Sequence, residues 1–356
     1  MTTRPISRRT RRAVVVVPIA VAFTLSGCGF LTGEQTTSSG DDAGACSDVT
    51  LRLATIRADD DPTTIGANAF AEGVAEATDG KVTIEVFPNS QLGDANDLFA
   101  GMSAGQEVDM FVNGISLYPS LEGAEAFAVL SVPFLWDSYD QMREVLDSDT
   151  YQQLMDDAAQ TTGVRIAATA GDAEPRALSA NRAIETADDM KGLALRIAEA
   201  PMPQEFARAL DAQPQVVPFA DLYLGLQQGV VDAQENGAIT MVNQSLMEVQ
   251  DYFMPTDYIR DVQAWYISDA KWAAMCDEQR AAIETEAETA GELITDEVAT
   301  QMDEAMTTLE ENLEVVDVDV DSFRTALEGV FEKFDGDMWP DGLLEETRQL
   351  AEASRR

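Results

Sequence analysis

At 356 residues, 45% of them hydrophobic, the chain is long enough for two ordinary domains and can bury full cores. Its formal net charge of −41, from 64 acidic against 23 basic residues, excludes a surface built for nucleic acid or anionic lipid. Histidine is absent, which removes His-based catalytic triads and most zinc sites.

The first element in chain order is an apolar run from Ala13 to Leu25, preceded by Arg4, Arg8, Arg9, Arg11 and Arg12 with no acidic residue among them. A basic segment followed by a short apolar one is the pattern of a secretory signal peptide, expected here over residues 1–27. The run is too short to cross a bilayer as a helix, which takes about 20 apolar residues. It ends in Leu25-Ser26-Gly27-Cys28, which resembles the bacterial lipobox; that resemblance implies cleavage before Cys28 and acylation of its sulfur. The pair Arg8-Arg9 leaves both twin-arginine and general secretory export open.

Residues 28–47 are rich in Gly, Ser, Thr and Asp, cannot bury enough apolar surface to fold, and are expected to form a lipidated flexible tether. All five basic residues before Cys28 leave with the signal peptide, so the exported form sets 18 basic against 64 acidic residues. With Cys28 acylated, Cys46 and Cys276 remain as an even pair in an oxidising compartment. A disulfide between them is the expectation, and two separate thiols the alternative.

From Val49 onward the pattern alternates strand and helix. Val49 to Thr55 reads as a strand and Thr64 to Thr78 as a helix closed by Gly80. Lys81 to Phe87 is a second strand, Asp94 to Ala104 a helix with Asp94 at its N-cap, and Val108 to Val112 a third strand. A second series places strands at Val164 to Thr169, Leu193 to Ile197 and Val230 to Gln234, with helices at Met202 to Leu210 and Ala220 to Gln228. Such alternation predicts an α/β fold of parallel sheets covered by helices, with ligands at the carboxyl ends of the strands. Two series in succession predict two lobes with a cleft between them. Asp277 to Asn312 holds apolar residues at three- to five-residue spacing with one glycine, Gly291, and predicts a long amphipathic helix.

The segment from Asp188 to Gly237 carries the chemistry. Arg196 lies among apolar residues of a predicted strand that would bury it, so its guanidinium needs an anionic partner. A ligand carboxylate and an internal acid both satisfy that need. Phe219 reads either as core or as a platform for a ligand, and Asn236 either as a turn residue or as a contact.

These residues together resemble the solute-binding proteins of tripartite ATP-independent periplasmic (TRAP) transporters, the DctP-type family. The resemblance spans nearly the whole chain after the tether: Pro88 to Gly93, Val132 to Trp136, Asp188 to Arg196, and Pro218 to Asn236 each match a family motif. It implies two α/β lobes of periplasmic-binding-protein type, spanned by a long helix, with lobe I at 48–173 plus 262–300 and lobe II at 174–261 plus 301–352. It also implies that Arg196 holds a substrate carboxylate, with Arg176, Asn236 and Phe219 as further contacts. Glu174, Arg57 and Asn113 are weaker candidates for the same site.

Two departures stand out: Gly237 replaces the usual proline of the Gln-Glu-Asn-Pro motif, and Asp172-Ala173-Glu174-Pro175 replaces a glycine-rich lead into Arg176. Glu174 is placed to pair with Arg176 or to meet a polar group of the substrate.

The function so implied is capture of a small organic acid by a monomeric lipoprotein, anchored on the outer face of the cell membrane or in the periplasm. The acid passes to a TRAP permease for ion-gradient-driven uptake. The alternative is a sensor lipoprotein that presents the same kind of solute to a membrane receptor. Neither requires a cofactor or a metal, and no nucleophile motif or phosphate-binding loop points to an enzyme.

Overall fold

The computed structural model describes residues 46–354. The expected signal peptide, Cys28 and the tether up to residue 45 lie outside the described residues. Eleven strands form two sheets among the described residues.

The first sheet contains β1 (Val49–Ala54), β2 (Val82–Phe87), β3 (Met110–Gly114), β4 (Val164–Asp172) and β10 (Val262–Ser268), in the order β2-β1-β3-β10-β4. β1, β2 and β3 run parallel, whereas β10 is antiparallel to both its neighbours. The second sheet contains β5 (Leu178–Ala180), β6 (Ala194–Ile197), β7 (Gln213–Val216), β8 (Ala233–Gln234), β9 (Tyr252–Met254) and β11 (Glu314–Val315), in the order β11-β9-β5-β8-β6-β7. Here β6, β7 and β8 are parallel, and β5 runs against β8 and β9. The molecule is therefore a two-lobed α/β protein with one sheet in each lobe.

Local signals explain the first elements. Asp61 caps the helix Pro62–Ala77 by accepting from the Thr63 amide at 2.9 Å, and Pro62 supplies the fixed φ that suits a first helical turn. Gly80, at φ +77°, closes that helix in a backbone region that disfavours other residues. Asp94 caps the helix Ala95–Ser103 as expected, accepting from the amides of Asn96 and Asp97 at 3.0 Å each.

Some expected elements are displaced. The strand expected at Val230 to Gln234 shrinks to Ala233–Gln234, because Val230 is 59% exposed in the turn that precedes it. The helix expected at Ala220 to Gln228 is a 3-10 turn, Phe219–Asp221, followed by the short helix Leu222–Gln227. β10 carried no alternation to reveal it, since all seven of its residues are buried between the neighbouring strands and the covering helices.

The chain passes from the first sheet to the second between β4 and β5 and returns between β9 and β10. These two crossing segments pair with each other: the Ala173 amide donates to the Asp261 carbonyl at 3.0 Å and the Arg176 amide to the Ile259 carbonyl at 3.1 Å. The third crossing is the 36-residue helix Asp277–Asn312, which buries Ile283, Ala287, Ile294, Val298 and Leu309 on one face. It packs on β4 and the helix Pro62–Ala77, and also on the helix Ala238–Asn243. Its glycine has a packing reason, for a β-carbon on Gly291 would fall 2.5 Å from the Ala170 β-carbon and 2.8 Å from the Gly171 amide.

Cys46 and Cys276 are joined by a disulfide, with Cα atoms 5.7 Å apart. It fastens the residues entering β1 to the start of the long helix. No helix among the described residues is long and apolar enough to cross a membrane.

Candidate functional site

A cavity of about 120 Å³ opens where the parallel strands of both sheets end. Ile56 follows β1, Asp94 and Asn96 follow β2, Leu117 follows β3, and Arg196, Val217 and Phe219 come from the ends of β6 and β7. Carboxyl ends of parallel strands leave loops and free amides facing the same way, so two such sheets with those ends toward one cavity enclose a site.

Arg196, the last residue but one of β6, is 3% exposed, and its Nε donates to the Val217 carbonyl at 2.9 Å. No carboxylate comes within ion-pair distance of it among the described residues. Burial pulls its pKa down to about 10, with Glu235 opposing the shift and the charges of Arg176 and Arg57 adding to it. A buried guanidinium without a counter-charge is costly, and an anion arriving at its free nitrogens removes that cost.

Phe219 lies between two guanidiniums: Arg196 sits 5.9 Å and Arg57 5.1 Å from the ring centroid. Arg57 belongs to the first lobe and donates from Nη1 to Thr240 Oγ1 of the second at 3.0 Å. Its Nε is buried without a partner.

Arg57, Glu174, Arg176 and Asn236 line a second chamber of about 20 Å³ together with Asp261. Arg176 is engaged internally: Nη1 lies 3.0 Å from Glu235 Oε2 and also reaches the Glu235 carbonyl at 2.7 Å and Asn236 Oδ1 at 3.2 Å. Tyr258 donates to the same Glu235 carboxylate at 2.8 Å, and Glu235 is wholly buried. Asn236 is oriented from both ends, since its Nδ2 donates to Gln234 Oε1 at 2.6 Å.

Glu174 does not pair with Arg176. It accepts from the amides of Ile239 at 2.7 Å and Thr240 at 3.2 Å and from the Thr240 hydroxyl, at the N-terminus of the helix Ala238–Asn243. Orphan amides at a helix start attract a carboxylate more cheaply than a guanidinium already committed to Glu235. Burial pushes the Glu174 carboxyl up, and nearby Arg57 and the Thr240 hydroxyl act against that shift.

Asn113, at the end of β3, is 3% exposed; its Oδ1 accepts from the Gly114 amide at 2.8 Å and its Nδ2 has no partner. It lies beside the second chamber through Gly114 rather than in its wall.

Several contributors escaped the sequence reading, Glu235, Glu199, Asp261, Asn96, Thr240 and Gln263 among them. Asn96 Nδ2 donates to Glu199 Oε2 at 2.5 Å and ties the first lobe to the second across the mouth of the main cavity. Asn96 follows an N-cap after a strand, a position that faces a cleft in parallel folds, so a signal existed. Thr240 and Gln263 had none, since only the folded chain brings them to Arg57 and Thr63.

Known proteins agree with this architecture. The family model for bacterial extracellular solute-binding protein, family 7 (DctP), matches residues 53–337. A solute-binding protein of Roseobacter denitrificans is 31% identical over 250 residues, which is 70% of this chain and 75% of that protein. The sialic acid-binding periplasmic protein of Vibrio cholerae is 26% identical over 273 residues, 76% of this chain and 84% of that one. Among solved structures, a TRAP periplasmic solute-binding protein of Roseobacter denitrificans with bound L-galactonate is similar, with a TM-score of 0.77 and 28% identity. That match covers 88% of this chain and 100% of that one. The fold, the cleft between its sheets and the length of these matches agree, and the chain belongs to bacterial extracellular solute-binding protein family 7, the DctP-type solute-binding proteins of TRAP transporters.

Proposed function

We propose that the chain captures a small organic acid by its carboxylate, with Arg196 as the anchor, and delivers it to a TRAP permease. The observation that carries this reading is Arg196 itself, a buried cation with one backbone partner and, among the described residues, no carboxylate within ion-pair distance. A carboxylate accepts two parallel hydrogen bonds from such a fork. Phe219 packs against the carbon skeleton, Asn236 and Arg57 contribute hydrogen bonds, and Arg176 acts through the positions of Asn236 and Glu235.

The lobes divide at 48–173 plus 262–300 and 174–261 plus 301–352, so closing them brings Arg57 to Phe219 and Thr240. Binding is the role of this cleft: its buried guanidiniums and amides are arranged to hold charge. The protein acts as a monomer on the outer side of the cell membrane, held by a lipid on Cys28. That anchor keeps the binding protein near its permease.

The test is calorimetry with a panel of small carboxylic acids. A charge-assisted pair contributes about 1.5–3 kcal/mol, so Arg196→Ala weakens the best ligand by at least about tenfold. Unchanged affinity in that variant removes Arg196 from the role.

A further inference from the structure

The acidic character of this chain is interrupted in the second lobe. From Ala212 to Val231 the single charged residue is Asp221, although 24% of the whole chain is charged. Among the described residues the exposed large apolar side chains are Val216, Leu224 and Val230, at 47%, 50% and 59% exposure, and all three fall in that stretch. Apolar residues scattered singly over a surface are ordinary, whereas their confinement to one uncharged stretch marks a place where another surface is met.

The fold gathers the stretch around the free edge of the second sheet, whose last strand is β7. The short helix Leu222–Gln227 and the turn before β8 pack beside that strand. A β-carbon on Gly225 would fall 3.7 Å from Val217 Cγ1 and 3.6 Å from Val231 Cγ2, and the Val230 amide donates to the Gly225 carbonyl at 2.9 Å. Val216, Leu224 and Val230 each precede one of these three contacting residues. Around them stand Gln213, Gln215, Gln227 and Gln228, exposed and polar but without charge.

Three observations decide what covers this edge. A strand from another chain cannot extend the sheet here. The amides of Gln213 and Val217 donate inward to the carbonyls of Leu193 and Ile197, at 2.8 and 3.4 Å, so the two-residue alternation turns Pro214 to the open side, where it has no N–H to offer. Contact is therefore made by side chains. A second copy of this chain is a poor partner, because two chains of net charge −41 repel each other. Position supplies the third: Val216 belongs to this edge and also to the wall of the cavity that holds Arg196, so whatever docks here sits beside the ligand.

We propose that this edge of the second lobe is a docking surface for the membrane permease, and that the permease meets it with an apolar, uncharged face. The proposal rests on the delivery reading given above. The test uses the purified full-length protein and its TRAP permease in proteoliposomes, with L-galactonate as trial cargo, replaced by the best acid of the calorimetric panel if another binds more tightly. Leu224→Glu, Val230→Glu and Leu224→Lys are expected to leave melting temperature and ligand affinity unchanged, since both positions are exposed and outside the main cavity wall. Each is expected to weaken docking on the permease at least about tenfold. Wild-type docking is expected to change less than about threefold between about 0.1 and 0.5 M salt, because screening acts on charged contacts. Docking and uptake by all three variants at the wild-type level overturn the proposal and leave delivery standing. Tighter docking of Leu224→Lys, or a steep loss of wild-type docking with salt, overturns the uncharged partner face. A wild-type dimer in sedimentation that Val230→Glu dissociates gives the edge to a second copy and also overturns the proposal. A wild type that binds its acid but neither docks on the permease nor supports uptake overturns delivery as well.

Discussion

Gly237 and Glu174 occupy each other's space: a β-carbon on Gly237 would fall 2.5 Å from Glu174 Oε2 and 2.6 Å from the Pro175 carbonyl oxygen. Gly237 and the Asp172-Ala173-Glu174-Pro175 segment are where the sequence analysis finds departures from the motifs it resembles, and they are neighbours in the fold. Glu174 fills the volume that a side chain at 237 would need, and it is pinned there by the Ile239 and Thr240 amides.

The two departures are therefore coupled. Gly237→Ala is expected to lose about 1–3 kcal/mol of stability from overpacking. Glu174→Ala alone also destabilises, by leaving the amides at that helix start without their carboxylate. The double variant is expected to be more stable than the sum of the two, by about 0.5–2 kcal/mol. Urea unfolding of all four proteins measures this, and strict additivity would refute the coupling.

Arg196 places function in opposition to stability. Its charge is buried without a counter-ion in the empty protein, so Arg196→Met, similar in length and apolar, is expected to raise the melting temperature of the empty protein by a few degrees. The same change is expected to abolish the thermal shift caused by a bound acid. A variant that melts lower while empty would show that Arg196 is already satisfied without ligand.

The pH dependence of binding follows from the same group. Its pKa is pulled down to about 10, below the ordinary arginine range, because burial penalises the cation. An anion restores that pKa, so binding is expected to be insensitive to this group at neutral pH and to weaken as pH rises through about 10. The sign for stability is opposite. Above about pH 10 the unfolded chain keeps a proton that the folded one releases, so the empty wild type gains stability relative to Arg196→Met. Calorimetry and melting curves between pH 8 and 11 check both directions.

The Cys46–Cys276 disulfide is expected to serve stability and not binding. It sits where the chain enters β1, whereas the cleft residue Ile56 follows that strand's other end, about 20 Å away along six residues. Its two cysteines are 230 residues apart in sequence, so Cys46→Ser together with Cys276→Ser is expected to cost about 2–5 kcal/mol. Ligand affinity should stay within twofold. A large loss of affinity would mean that the long helix passes strain from its start to the cleft.

Much of this protein was legible before folding. Alternating apolar residues, Asp94 as a cap and Gly80 as a stop report local preferences, and β1, β2 and the helix Asp277–Asn312 lie where those signals place them. The apolar neighbours of Arg196 were enough to bury it, because burial of a strand residue follows from its own sequence context. What the sequence left open was how each charge would be compensated. Arg196 and Arg176 look alike as arginines in matching motifs, yet one is paired with Glu235 and the other is not. Glu174 had two available partners and took helix amides 65 residues away in sequence. Pairing energies depend on distance and desolvation between groups far apart in the chain, and those are set only when the two sheets close around the cleft.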